Sequence, residues 1–351
     1  MKLSFEPHTL YFIHPFRIAH GVRSSTPVVI TQLECHGVIG YGEASMPPYL
    51  GESHESVLAF LKKAAAYLET LSTPEHIPAI LKTIDAMEPG NTAAKASIDI
   101  ALHDLCGKRE NTPCWKMFGA EKTQAPFTTF TLGIDEPVML KQKIAEAEAF
   151  RVLKVKLNGI DDRQMIDTIR SVTDKPIAVD VNQGWKTKEH ALEMIEWLKE
   201  KNVLFVEQAM PKDDIDAAHW LYERSPLPLY ADESVQRLSD IAQLKDCYHG
   251  INIKLMKCTG LHEANEMIRL ARTLQLKVLI GCMSETSCAV SAAAQLTPFA
   301  DHADLDGPML IKNDLFKGIE FINGKITLND LPGIGVLPVA SSGHQVSCMS
   351  S

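Results

Sequence analysis

The 351-residue sequence predicts an α/β protein, a TIM-type barrel with an α+β capping domain formed from both chain ends. Three observations predict it. Eight strand-like apolar runs recur about every 25 residues through the second two-thirds of the chain. Amphipathic stretches lie between them, as in "TKEHALEMIEWLKEKN", where Leu192, Ile195 and Leu198 fall at helical spacing. Residues 1 to about 120 do not share that period. An open doubly wound sheet is the alternative, but it usually brings a Gly-rich phosphate turn, and the sequence has no GxGxxG or Walker loop.

In chain order, "VVITQLECHGVIGYGEA" alternates like an antiparallel meander, and "TAAKASIDIALHDLCGK" reads as a helix. These belong to a capping domain over residues 1–120. The barrel is expected over 121–310. Its runs are "FTTFTLG" (127–133), "VLKVKL" (152–157), "IAVDVN" (177–182), "VLFVEQ" (203–208), "LPLYADE" (227–233), "INIKL" (251–255), "KVLIGC" (277–282) and "ADLD" (303–306). Beyond, "KGIEFINGKITL" reads as a hairpin turning at Asn323-Gly324. The segment 311–351 is expected to pack back on the capping domain and to end in a frayed polar tail, "SSGHQVSCMSS".

A net charge of −9 argues against a nucleic-acid partner. No apolar run is long enough for a membrane span, and the N-terminus lacks a signal-peptide core. Eight scattered cysteines without a CxxC pair suit reduced thiols in the cytoplasm.

Polar residues cluster where barrel strands end, which is where barrel chemistry sits. Lys154 and Lys156 alternate on the second run, Asp180 and Asn182 close the third, and Glu207 closes the fourth. Asp232 and Glu233 close the fifth, Lys254 the sixth, and Asp304 and Asp306 the eighth. One such residue alone is more often a helix cap. Asp180, Glu207 and Asp232, however, are 27 and 25 residues apart, so three carboxylates stand on consecutive strands at one depth. They would repel unless a cation sat between them, and an all-oxygen set favours Mg²⁺, one per chain.

That cation gives the lysines a purpose. The second and sixth strands of an eight-stranded barrel face each other across the mouth, so Lys156 and Lys254 would flank a substrate held on the metal. A lysine near a divalent cation and another lysine is expected to have a lowered pKa and to act as a general base. Two bases on opposite faces of one carbon can invert it. Lys154 would remain a cation and help hold a substrate carboxylate.

These motifs resemble the enolase superfamily, specifically its muconate lactonizing subgroup, over almost the whole chain. The carriers are the KxK of "LKVKL", "DVNQGW", "VEQ", "ADES", "NIKL" and "GCMSET". The resemblance implies a (β/α)₇β barrel and a Lys base working with Mg²⁺ through an ene-diolate. Within the subgroup, "DLDG" resembles the DxD of dipeptide epimerases, which implies that Asp304 and Asp306 take the α-ammonium of a dipeptide. The loop "HGVRSSTP" resembles the family's capping loop, with Arg23 meeting a second carboxylate such as a glutamate side chain. Thr131 is a further substrate contact, and Cys282 and Met283 would offer backbone groups. Asn182 would stand beside the metal ligands and Glu285 near Lys254. "EQAMP" departs from the EEP of many relatives, which puts the pocket wall there in doubt.

The expected activity is therefore Mg²⁺-dependent epimerization of a dipeptide at its C-terminal residue, L-Ala-D/L-Glu foremost, in murein peptide metabolism. The expected partners are the dipeptide and further copies of the chain, since proteins of this fold often assemble. An N-succinylamino acid racemase or o-succinylbenzoate synthase is the rival, but such substrates carry no free ammonium for two aspartates. An acid-sugar dehydratase would usually place a histidine base on the seventh strand, where "VLIGCM" has none. A catalytically silent small-molecule binder would not need both lysines.

Overall fold

A computed structural model of the chain describes residues 1–18 and 21–339. The frayed tail expected at 341–351, and His20 of the quoted loop, lie outside the described residues.

The chain opens with three antiparallel strands in the order β1 (Lys2–Ile18), β2 (Gly21–Cys35) and β3 (Val38–Ser45). β2 and β3 join at His36-Gly37, whose φ angles of 52° and 80° give the twist that a two-residue hairpin needs. Three helices follow, α1 (His54–Leu68), α2 (Ile77–Asp85) and α3 (Thr92–Arg109). α3 lies directly on β3, because a side-chain atom at Gly40 or Gly42 would strike the α3 carbonyls of Ala101 or Ser97. This contact fixes the far end of β3, and with it Glu43 and Ser45, toward the barrel. A short helix, α4 (Cys114–Met117), ends this region.

Eight parallel strands come next: β4 (Thr129–Leu132), β5 (Val152–Lys156), β6 (Ile177–Asp180), β7 (Val203–Glu207), β8 (Leu229–Ala231), β9 (Gly250–Ile253), β10 (Lys277–Gly281) and β11 (His302–Asp304). They pair strictly in sequence, and a bridge from Thr128 to Ala303 joins the first strand to the last. Six connections carry α5 (Pro137–Glu146), α6 (Asp162–Arg170), α7 (Lys188–Lys199), α8 (Ile215–Tyr222), α9 (Leu261–Thr273) and α10 (Ser287–Ala294). Between β8 and β9 the crossover is a 3₁₀ segment, Leu238–Leu244. The architecture is the (β/α)₇β barrel expected of the sequence, with that one helix tightened.

The core strands are buried on both faces, as their continuous apolar runs require: Leu153, Val155, Ile177 and Val179 are fully enclosed. The helices start where caps allow. Thr187 accepts from His190 N to begin α7, and Asp214 from Ala217 N to begin α8.

After the barrel, β12 (Phe316–Lys317) pairs with β15 (Leu337–Pro338), and β13 (Glu320–Ile322) pairs with β14 (Lys325–Thr327). The β13–β14 hairpin turns at Asn323-Gly324, both at positive φ. It lies against the barrel's first strand, where Thr128 N donates to Gly324 O and Gly324 approaches Phe150. The segment behind it reaches α3, where Ile334 N donates to Asp104. No helix of the described residues is long and apolar enough to cross a membrane.

Candidate active site

The strand ends converge as the spacing suggested. Asp180, Glu207 and Asp232, from β6, β7 and the residue after β8, are almost wholly buried. One carboxylate oxygen of each lies within 4.8 Å of the others. Asn252 Nδ2 donates to Glu207 Oε1 at 2.7 Å, whereas Oε2 receives no directed hydrogen bond from any described residue. Three convergent, buried carboxylates offering only oxygen donors fit a hard divalent cation such as Mg²⁺.

Four lysines balance these acids. Lys154 Nζ lies 2.8 Å from Glu207 Oε2, 2.7 Å from Asp304 Oδ2 and 3.2 Å from Asp180 Oδ2. Lys156 Nζ donates to Asp180 Oδ2 at 2.6 Å. Lys254 Nζ donates to Asp232 Oδ2 at 2.7 Å. Sequence reasoning missed the fourth: Lys257, fully buried, donates to Asp232 Oδ1, Asp232 O and Asn252 O. It sits past the end of β9, where neither strand alternation nor helical spacing marks it, and only its burial shows what it holds. Lys154 and Lys156, alternating on β5, are therefore counter-charges to Asp180 on the adjacent strand β6, and Lys154 also to Glu207 on β7 and Asp304 on β11.

The charge states follow from this packing. Burial would raise Asp180, but Lys156 and Lys154 outweigh it and hold the carboxyl at about 2. Burial and the neighbouring Asp180 push Glu207 up to about 7. Burial pulls Lys254 down, yet Asp232 outweighs it and holds the ammonium well above its ordinary value. That is opposite to the lowering expected of a base. The carboxylates closest to it dominate, and a cation among them would oppose their charge.

Lys156 and Lys254 line one cavity of about 450 Å³, together with Asp232, Asn182, Thr131 and Arg23. β5 and β9 are four strands apart in a ring of eight, so their lysines come from opposite sides. Asp304 and Asp306 form another wall. Thr129 Oγ1 and Lys154 occupy Asp304, and Thr131 N donates to Asp306 Oδ2 at 2.6 Å. Burial, then Asp304, pushes Asp306 up to about 7.

Arg23, on β2, reaches the same cavity from the capping region. Its guanidinium carbon lies 5.8 Å from the Phe12 ring centre, and Nη2 is enclosed without a hydrogen-bond partner among the described residues. Cys282 and Met283 line the wall after β10. Glu285 is buried behind them and accepts from Met283 N, and burial followed by Glu43 pushes it up to about 8. Asn182 N donates to Asp180 Oδ1, and its Oδ1 has no partner among the described residues. The departure at "EQAMP" has a structural consequence: Gln208 Oε1 accepts from Asp232 N and Ser234 N, tying β7 to the segment that presents Asp232.

Residues 5–119 match the mandelate racemase / muconate lactonizing enzyme N-terminal domain, and residues 139–340 match the enolase C-terminal domain-like family. The chain therefore belongs to the mandelate racemase and muconate lactonizing enzyme family of the enolase superfamily. Among its relatives, an L-Ala-D/L-Glu epimerase of Bacteroides thetaiotaomicron is 56% identical over 340 residues, spanning 97% of this chain and 88% of that one. An N-succinyl-L-Arg/Lys racemase of Bacillus cereus is 31% identical over 337 residues, spanning 92% and 91%. Among solved structures, a dipeptide epimerase of Cytophaga hutchinsonii complexed with Mg and D-Ala-L-Val superposes with a TM-score of 0.90 at 26% identity. It covers 97% of this chain and 96% of that one.

Proposed function

We propose that this protein is a Mg²⁺-dependent dipeptide epimerase that inverts the α-carbon of the C-terminal residue, with L-Ala-D/L-Glu as the substrate. The observation that carries the reading is the pair Lys156 and Lys254. They come from opposite strands onto one cavity, with the acidic triad below them and two aspartates on another wall. The 56% identity to an L-Ala-D/L-Glu epimerase supports the choice of dipeptide.

Asp180, Glu207 and Asp232 would hold the metal, whose positive charge would favour the negative charge a substrate carboxylate gains as its α-proton leaves. Lys156 takes the proton from one face and Lys254 returns one to the other. In the reverse direction the roles exchange. Lys154, enclosed by Asp180, Glu207 and Asp304, keeps that wall neutral enough to accept a substrate carboxylate. Asp306, backed by Asp304, receives the dipeptide ammonium, and Thr131 fixes its rotamer. Arg23 brings an unpaired guanidinium N–H toward the side chain of the inverted residue. Seven unpaired described cysteines support a reducing compartment such as the cytoplasm.

The N-succinylamino acid racemase reading finds its support in the Bacillus cereus relative. An acylated amine offers no positive charge to the strand-β11 aspartates, so the dipeptide is preferred. The deciding experiment incubates the enzyme in D₂O with L-Ala-L-Glu and with N-succinyl amino acids, with Mg²⁺ or with EDTA. Deuterium should enter the glutamyl α-carbon only with the dipeptide and Mg²⁺. Full exchange in EDTA, or exchange confined to the N-succinyl substrates, would overturn the assignment.

A further inference from the structure

Glu43 lies outside the cavity and is absent from the mechanism above, yet it is fully buried on β3 at the junction with the barrel. Its Oε1 accepts from Thr286 N at 2.9 Å, and its Oε2 accepts from Ala289 N at 3.1 Å and from the Thr286 hydroxyl. These donors begin α10. The other first-turn amides are also taken, Ser287 N by Asp314 and Cys288 N by the Thr286 hydroxyl. A helix start that Thr286 caps from the barrel and Asp314 from the segment after it thus has its third amide served from the capping region.

The segment just before that helix start, residues 282–286, is the one that lines the dipeptide cavity with Cys282, Met283 and Ser284. The capping region grips it at two more points. Ser45 Oγ donates to Ser284 O at 3.0 Å, and Tyr49 OH donates to Met283 Sδ at 3.3 Å. A carboxylate buried this completely costs desolvation that an apolar contact would avoid. What it gains is direction, since two oxygens fix both the height and the rotation of the helix start.

We infer that Glu43 is a positioning residue: through the start of α10 it sets where the 282–286 wall stands against bound dipeptide. The inference rests on the dipeptide-epimerase reading for its kinetic consequence but not for its structural one, and the test separates them. Glu43→Gln keeps the shape but turns an amide toward Ala289 N–H. It should raise KM for L-Ala-L-Glu about tenfold while kcat stays within about twofold, because the lysines and triad are untouched. Glu43→Asp should recover part of the loss. Independently of any substrate, the rate at which iodoacetamide labels Cys282, read by mass spectrometry, should rise about fivefold. Labelling of Cys106, in the capping region, should not change.

Asp85→Ala is the control. It removes the 3.0 Å ion pair of Asp85 with Arg237, between the capping region and the barrel, and the 2.9 Å pair of Asp85 with Lys95 inside the capping region, both away from the cavity. KM and Cys282 labelling should both stay at wild-type values. A Glu43→Gln protein that is less stable yet unchanged in KM and in Cys282 labelling would reduce Glu43 to a staple and overturn the inference. So would equal effects from Asp85→Ala. Should Glu43→Gln fail to fold, Ser45→Ala decides, with the same shifts expected in smaller measure and unchanged values counting against. If wild-type enzyme exchanges no dipeptide α-proton, the functional reading fails, and Cys282 labelling still judges the role of Glu43.

Discussion

Replacing Lys154 by methionine tests whether this ammonium is the internal counter-charge of the site. Methionine keeps the length of the stem and removes only the charge and its donors. The ammonium has three carboxylate contacts, at 2.7, 2.8 and 3.2 Å, and is about 1% exposed. At an effective dielectric of about 20 each contact is worth roughly 5–6 kcal/mol before desolvation. Desolvation cancels most of that, and breaking a buried ion pair from one side costs about 3–5 kcal/mol net. Proton uptake by Glu207, already near 7, would relieve part of the loss at neutral pH, so the deficit should grow toward pH 8. Urea unfolding in EDTA should therefore show Lys154→Met less stable than wild type by about 3–5 kcal/mol. Mg²⁺ should restore more stability to the variant than to wild type. A divalent ion replaces the missing charge, and a ligand at one hundred times its Kd contributes about 2.7 kcal/mol. A deficit below about 1 kcal/mol in EDTA, or a smaller gain from Mg²⁺ than wild type shows, would refute the reasoning.

Other expectations follow from the same geometry. Lys156→Ala and Lys254→Ala should each lose epimerization by about 10²–10⁴-fold, while exchanging the α-proton of opposite epimers with D₂O. Near-normal epimerization by either variant would remove the two-base scheme. Arg23→Leu should lower kcat/KM for L-Ala-L-Glu about tenfold more than for a dipeptide with an apolar second residue. Equal losses would assign Arg23 to the hairpin alone. Glu285 holds its proton to about 8 in the folded chain against an ordinary 4.5. Its contribution is fully present below 4.5 and is lost as pH rises through about 8, so metal-free stability should fall across that window. Glu285→Gln should flatten this slope, measured as urea midpoints against pH, and an unaltered slope would assign it to other groups.

Much of this site was legible in one dimension because a parallel barrel repeats. Each βα unit returns the chain to the same rim, so the intervals between Asp180, Glu207 and Asp232 translate directly into three neighbouring carboxylates. The same periodicity put Lys156 and Lys254 across the mouth from each other, since a sheet paired in sequence order fixes which strands are opposite. Alternation likewise marked the antiparallel strands β2 and β3, and Asn323-Gly324 marked the turn of the β13–β14 hairpin.

What has no period stayed hidden. The Glu43 contact with Thr286 spans 243 residues and depends on how α3 seats β3 against the barrel. Lys257 looks like any loop lysine until burial leaves its three hydrogens facing Asp232 and Asn252. The charge state of Lys254 also belongs to the fold. A residue type gives an ordinary pKa, but the balance between desolvation and Asp232 depends on distances that only the folded chain sets. Local pattern determines which groups reach the rim, and packing decides which of them meet and how each is charged.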